Sequence, residues 1–269
     1  MHRFFVDSVD IEGSEIEKKY PHPHRHPELD SGSTQACGDL SEMTISLTGD
    51  NAAHGNVLRL HIGEEIIICS DMIDYNCKVK TITKGKIVAD VIDAKPNENE
   101  MPTHITLFQA LPKGDKMGDI IERSVELGVA QIIPIITSRC ISRPKKEEGM
   151  RKVAKWQKNA EAAAKHAHRG YVPKIGDIIS LEKAAEMAKG MDAAFVCYEG
   201  EQDARFGDIS TKTAIGIFVG SEGGFSAEEV ESLKTNNITP ITLGRRILRT
   251  ENAAAFALAY INFLMFHKI

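Results

Sequence analysis

Long apolar runs are missing from this chain. Its longest stretch without a charge, Asn252 to Phe266, is interrupted by Asn262 and falls short of the roughly 20 apolar residues a membrane span needs. It reads instead as a buried C-terminal helix. A charged-then-apolar segment of the signal-peptide kind is also lacking at the N-terminus. Cysteine is sparse: the five positions (37, 69, 77, 140, 197) show no CxxC spacing, and an odd number points to reduced thiols and a cytoplasmic setting. The single tryptophan, Trp156, lies on a long helical pattern, where packing is favoured over base stacking. The glycine-rich segments fit neither a Walker A loop nor a dinucleotide fingerprint.

A basic excess is lacking too. The net charge is −5, and nucleic-acid binders are usually basic. The distribution changes that picture. Residues 1–50 hold four Lys/Arg against ten Asp/Glu, which leaves the rest of the chain near +1. Within it, Ser138 to Lys158 carries eight cations (Arg139, Arg143, Lys145, Lys146, Arg151, Lys152, Lys155, Lys158) against Glu147 and Glu148. Such a local stripe suits phosphates whatever the global sign; a solvated face is the competing reading.

The length of 269 residues suits one large domain or two modest ones. Residues 44–93 read as short strands, clustered β-branched residues between turns such as Lys84-Gly85, and with Phe4-Phe5-Val6 they suggest a small β-barrel. Lys95 to Pro102 is polar, carries two prolines and reads as a linker. Beyond it strands (105–110, 131–137, 194–197, 214–219, 241–243) alternate with helices (119–127, 148–167, 181–188, 251–266). That alternation indicates an α/β domain with a parallel sheet. Ser226-Ala-Glu-Glu229 has the form of a capping box. The domains are therefore placed at 1–97 and 98–269, with an insertion at about 12–43. His22, His24 and His26 alternate with prolines there, without acidic or cysteine partners, so no metal site is assigned.

Two glycine turns at strand exits carry most of the chemistry. Val219-Gly220-Ser221-Glu222-Gly223-Gly224 and Leu243-Gly244 let a ligand approach backbone closely, and Arg249 and Glu251 set opposite charges beside them. Ile247 and Leu248 are also expected to pack in the core. Glu251 is one expected partner for Arg249, since an arginine between apolar segments needs one.

These segments resemble the bacterial-type small-subunit ribosomal RNA (uracil N3)-methyltransferases of the SPOUT superfamily. The matches are Gly220 to Ser226, Leu243 to Ala253, Lys113 to Met117, Glu126 to Val129, Arg169 with Pro173, His54 with Val57 to Arg59, and the opening Met1 to Phe5. Ser221 stands where the family has proline, Asn252 where it has threonine, and Lys165-His166 where it has Glu-Gln. The resemblance implies a SPOUT-type α/β domain with a trefoil knot, preceded by a PUA-like barrel. It also implies a homodimer, S-adenosylmethionine as cofactor and ribosomal RNA as substrate. Val219, Gly220, Glu222, Gly223, Gly224, Leu243, Gly244, Ile247, Leu248 and Thr250 would line the cofactor. Arg249 and Glu251 would act at the reacting base, and Arg59, Arg139, Arg143 and Arg169 would contact RNA. A ribose 2′-O methyltransferase and a non-catalytic ribosome assembly factor stay open as alternatives.

Overall fold

The computed structural model describes residues 1–6, 11–12 and 43–266; His22, His24 and His26 and nearly all of the 12–43 insertion lie outside them. The chain forms two compact units: residues 1–100 with 168–172, and residues 101–167 with 173–269.

The first unit is built on one six-stranded sheet. Its strands are β1 (His2–Phe5), β2 (Ile11–Glu12), β3 (Thr44–Thr48), β4 (Glu65–Ser70), β5 (Ile73–Thr83) and β6 (Lys86–Pro96). They lie in the order β1-β4-β5-β6-β3-β2, with β1 parallel to β4 and the remaining pairs antiparallel. Gly85, at φ +90°, makes the tight turn between β5 and β6. Two register shifts, at Asn76/Cys77 and Val79/Thr81, bend that long pair, as bulges do. Phe4, Ile45, Leu47, Ile66, Ile68 and Ile87 fill the core.

Helix α1 (Gly49–Val57) lies between two of the expected strands, 44–47 and 65–69, where no helix was expected. Its residues are poor helix formers, and tertiary contacts hold it. Asn51 Nδ2 donates to the Phe5 carbonyl at 2.7 Å, and a Cβ at Gly55 would come 2.4 Å from Ile87 Cδ1.

A buried polar network crosses the same unit. The Arg3 guanidinium pairs with Asp74 and donates to the Arg169 carbonyl at 2.6 Å. Asn97 Nδ2 donates to Asp74 at 2.9 Å and to the His168 carbonyl at 3.2 Å. Glu100 accepts from Arg169 Nε (2.8 Å), Arg169 Nη2 (2.7 Å) and the Gly170 amide (2.6 Å). Segment 168–172 thus belongs to this unit although the linear division at 97/98 assigns it to the other. Burial pushes the thiols of Cys69 and Cys77 here, and Cys197 in the second unit, up to about 12, which keeps them protonated and unreactive.

The second unit is an α/β fold. Its strands are β7 (His104–Ala110), β8 (Gln131–Ile136), β9 (Lys174–Ile175), β10 (Ile179–Ser180), β11 (Ala193–Cys197), β12 (Ala214–Val219) and β13 (Thr239–Ile241). The order is β10-β8-β7-β12-β11-β13 with β9 beside β8, and every pair is parallel. The central strands Ile105-Thr-Leu-Phe-Gln-Ala110 and Ile215-Gly-Ile-Phe-Val219 are buried throughout, as expected where both sheet faces are covered. Phe108 and Phe218 stack across them at 4.3 Å.

Helices α2 (Lys116–Glu126), α3 (Lys146–His166), α4 (Leu181–Ala188), α5 (Ala227–Thr235) and α6 (Thr250–Phe266) connect and cover the strands. Helix α2 turns Met117, Ile120, Ile121 and Val125 inward. Helix α3 buries Trp156, Ala160, Ala163 and Ala164, and the alanines permit close approach. Among the described residues no helix is long and apolar enough to cross a membrane.

Candidate active site at the strand ends

From β7 the chain runs to β8 on one side, while β12 pairs along the other. In open α/β sheets a reversal of this kind leaves a crevice at the carboxyl ends of the strands. The ends of β7 and β12 bring Gln109 and Gly220 together there. Gln109, wholly buried, donates through Nε2 to Thr250 Oγ1 (2.9 Å) and the Ala110 carbonyl (2.9 Å), with the Gly220 carbonyl at 3.4 Å. Thr250 Oγ1 in turn donates to the Gly220 carbonyl at 2.6 Å. One hydroxyl therefore ties the loop after β12 to the first residue of α6. Gln109 Oε1 and Ser221 Oγ are buried without a hydrogen-bond partner among the described residues.

The loop after β12 is a tight turn. Gly224 N donates to the Ser221 carbonyl at 3.0 Å, so backbone bonding closes the turn without the family's proline. Space constrains the glycines to different degrees, most firmly at Gly220, where the neighbour is backbone. A Cβ at Gly220 would lie 2.8 Å from Gly224 Cα, one at Gly223 would lie 3.0 Å from Arg139 Cβ, and one at Gly224 would lie 2.8 Å from the Glu199 carboxylate. Gly224 also sits at φ +64°, where non-glycine residues are strained. Beyond the turn, Ser226 and Glu229 form the expected capping box of α5.

The loop after β8 leans on this turn. Arg139 Nη1 donates to the Gly223 carbonyl at 2.7 Å, and the Ser138 amide donates to Glu229 at 2.6 Å. Arg143 is occupied within its own loop, on the carbonyls of Thr137, Ser138 and Cys140. Arg169 is 2% exposed against Glu100. Arg59 is exposed at a left-handed position, φ +55°, just past α1.

A charge cluster borders the glycine turn. Glu222 accepts from the Lys113 amide (3.1 Å) and from Lys116 Nζ (2.8 Å). Burial works to raise its carboxyl, but the bonds from Lys116, its own backbone and Lys113 outweigh burial and hold it below the ordinary carboxylate range. The bond to Glu222 holds the Lys116 ammonium above its ordinary value.

Lys116 Nζ is also 3.9 Å from Glu251, whose Oε2 is buried without a hydrogen-bond partner. The partner of Glu251 is thus Lys116 rather than Arg249. Arg249 is exposed, forms no ion pair among the described residues, and accepts the amides of Asn252 and Ala253 on its carbonyl at the start of α6. Its charge lies close enough to Lys116 to oppose the ammonium.

The second glycine loop differs from expectation in two ways. Strand β13 ends at Ile241, so Leu243 and Gly244 stand in the loop; Gly244 at φ +109° cannot continue a strand. A Cβ at Gly244 would meet nothing within 4 Å. Ile247 is 89% exposed and does not pack in the core, because residues 244–247 project outward together. Leu248 and Leu243 are half-buried, while Val219 is buried.

Gln109 and Lys116 carry the site's geometry but had no role assigned from sequence. For Gln109 a signal existed, since a lone amide inside an apolar strand must find partners. Lys116 lay within a matched segment that suggested no function.

The model of the RNA methyltransferase domain matches residues 99–262. The ribosomal RNA small subunit methyltransferase E of Bacillus subtilis is 33% identical over 232 residues, which is 82% of this chain and 90% of that protein. Among solved structures, a ribosomal RNA small subunit methyltransferase E from Neisseria gonorrhoeae bound to S-adenosyl methionine is 28% identical, covers 98% of both chains and superposes with a TM-score of 0.75. A methyltransferase from Legionella pneumophila in complex with the same cofactor is 27% identical, covers 81% of this chain and 91% of that one, and has a TM-score of 0.75. With that domain model spanning most of the second unit and a relative of such similarity along most of its length, the chain belongs to the RNA methyltransferase family.

Proposed function

We propose that this protein methylates N3 of a uridine in small-subunit ribosomal RNA, with S-adenosylmethionine as donor. The observation that carries the reading is the joining of the two glycine loops at the β7–β12 crevice through Thr250, Gly220 and Gln109. The names of the B. subtilis and N. gonorrhoeae relatives supply the substrate class.

The residues fit the cofactor. Glycines keep side chains out of the turn, the backbone at Gly244 is open, and Gln109 Oε1 and Ser221 Oγ are polar atoms in want of partners. Val219, Gly220, Glu222, Gly223, Gly224, Leu243, Gly244, Ile247, Leu248 and Thr250 would hold it. Bound there, S-adenosylmethionine supplies a methyl carbon activated by its sulfonium.

The protein's task is to expose the N3 lone pair. Uracil N3 carries a proton, and nearby cations favour the ionised form; Arg249 and Lys116 are the cations of the cluster. The proton needs an acceptor. Glu222 is a weak base because its carboxylate already holds Lys113 and Lys116. Glu251, whose Oε2 lies 3.9 Å from Lys116 Nζ but takes no hydrogen bond among the described residues, is the acceptor assigned here. Arg249 is not tied into an ion pair among the described residues, so its charge is available to face the base.

Family membership also supports a trefoil knot formed by the two loops, a PUA-like barrel for the first unit and a cytoplasmic homodimer. Phe256 and Phe263 on α6 are exposed, whereas Leu258 and Ile261 are buried, so the helix is apolar on two sides and suits a partner subunit. Light scattering at micromolar concentration is expected to give twice the chain mass; a monomer would refute the pairing.

Nucleoside analysis of ribosomal RNA methylated with purified protein tests the reaction. N3-methyluridine is expected, whereas a ribose-methylated product or none would overturn the reading. Arg249→Ala is expected to slow single-turnover methylation about a hundred- to thousand-fold, the scale for loss of one preorganised charge-stabilising group, with cofactor affinity kept. Near-normal turnover would remove Arg249 from the reaction.

A further inference from the structure

Helix α3 presents a row of cations that the cofactor site does not use. Its inward face is Gly149, Trp156, Ala160, Ala163 and Ala164. At about 100° per residue, the opposite pole of the helix is occupied by Arg151, Lys155, Lys158 and Ala162, and all four are exposed. The three cations span eight residues, seven steps of the helix or roughly 10 Å along the axis.

No ion pair engages Arg151, Lys155 or Lys158 among the described residues. The pairs on this helix are Lys152–Glu148 at 2.8 Å, on a flank, and Lys165–Glu161 at 2.6 Å, beyond the C-terminal end of the row. The acids of α3 other than Glu147, in its first turn, are therefore already neutralised. Ala154 and Ala162, also exposed, leave the cations unobstructed. The groups that α3 contacts elsewhere, Asn159 beside Gly118, Gln157 on Pro173 and Ile175, and Gly149 beside Ile178, lie on other faces of the helix.

Three of the four arginines first expected to meet RNA have other duties; Arg59, in the first unit, is exposed. Arg139 and Arg143 brace loops, and Arg169 is buried on Glu100. Arg151, Lys155 and Lys158 have none, and a line of exposed positive charge on a chain of net charge −5 is complementary to a phosphate backbone. Bulky apolar residues, which a membrane-surface helix needs on its contact face, are missing from this stripe.

We propose that the outward stripe Arg151–Lys155–Lys158 of α3 docks the phosphate backbone of the ribosomal RNA substrate. The inference rests on the RNA methyltransferase reading and adds a surface to it. The stripe gives affinity and orientation; base identity is read elsewhere.

The test is RNA binding as a function of salt, with the full-length protein and the triple variant Arg151→Gln/Lys155→Gln/Lys158→Gln. Glutamine is a good helix former and the sites are exposed, so the fold should hold; circular dichroism and S-adenosylmethionine affinity verify this. Each phosphate contact contributes about 0.7 to the slope of log K against log salt for single strands. Loss of three contacts is expected to flatten the slope by about 2 and to weaken binding roughly a hundredfold near 0.1 M salt. An unchanged slope in a folded variant, with the natural protein still binding and methylating RNA, overturns the stripe alone. A natural protein without RNA affinity overturns the methyltransferase reading and the stripe together. Lost affinity for intact small subunits but not for deproteinised ribosomal RNA would identify a ribosomal protein as the partner and refute the RNA assignment.

Discussion

A single hydroxyl joins the two loops of the site. Thr250 Oγ1 donates to the Gly220 carbonyl and accepts from Gln109, all three groups being buried. In Thr250→Val the shape is kept but the carbonyl and amide lose a partner, at a cost of about 1–3 kcal/mol. Calorimetry is expected to show weakened S-adenosylmethionine binding in a folded Thr250→Val protein, and near-normal binding in Thr250→Ser. Equal affinities in all three would show that the loops hold their positions without this bond. The glycines of the site were legible in the sequence because close approach and positive φ leave few other choices. Gln109 was not, for its partner Thr250 is 141 residues away and no local pattern announces it. Lys116 was hidden for the same reason, 106 residues from Glu222.

Among the elements, α5 shows how local signals succeed. Ser226 and Glu229 form both bonds of the capping box, and spacing alone sufficed to find them. Glu229 also takes the Ser138 amide at 2.6 Å, a second duty invisible in sequence. Ser226→Ala is therefore expected to cost about 1 kcal/mol, the usual loss for a cap, and Glu229→Ala measurably more. Thermal melts of the two variants check the ranking; an equal or reversed order would deny the second duty. Helix α1 escaped a sequence reading because Gly49, Asn51, Gly55 and Asn56 favour turns, and its packing against β3 and β6 decides its form. Strand β13 was shifted by two residues because Thr242 and Leu243 have strand character, while Gly244 forces the chain to turn.

At the scale of the whole molecule the alternation of strands and helices was sufficient to give the parallel sheet, since period and turn residues are local properties. The membership of segment 168–172 was not readable, because it depends on Glu100 and Arg3 meeting Arg169 across long separations. Arg169→Leu leaves the buried Glu100 carboxylate without its cation, a change that costs about 3–5 kcal/mol. Urea denaturation is expected to show that loss, with Arg169→Lys intermediate because one ammonium cannot reproduce the forked contact. A stability unchanged by Arg169→Leu would mean that Glu100 finds another partner.

The placement of 168–172 has a bearing on how the chain is made. Domains emerging from the ribosome generally fold in order, N-terminal first. Here the first unit lacks its Arg169 counterion until that residue leaves the exit tunnel, by which time β7, α2, β8 and α3 have already been synthesised. Nascent chains arrested before that point should hold Glu100 as an unsatisfied acid, open to proteases. Protection should arrive abruptly once the segment is out, giving this protein a folding step timed by translation rather than by the sequence position of its first unit.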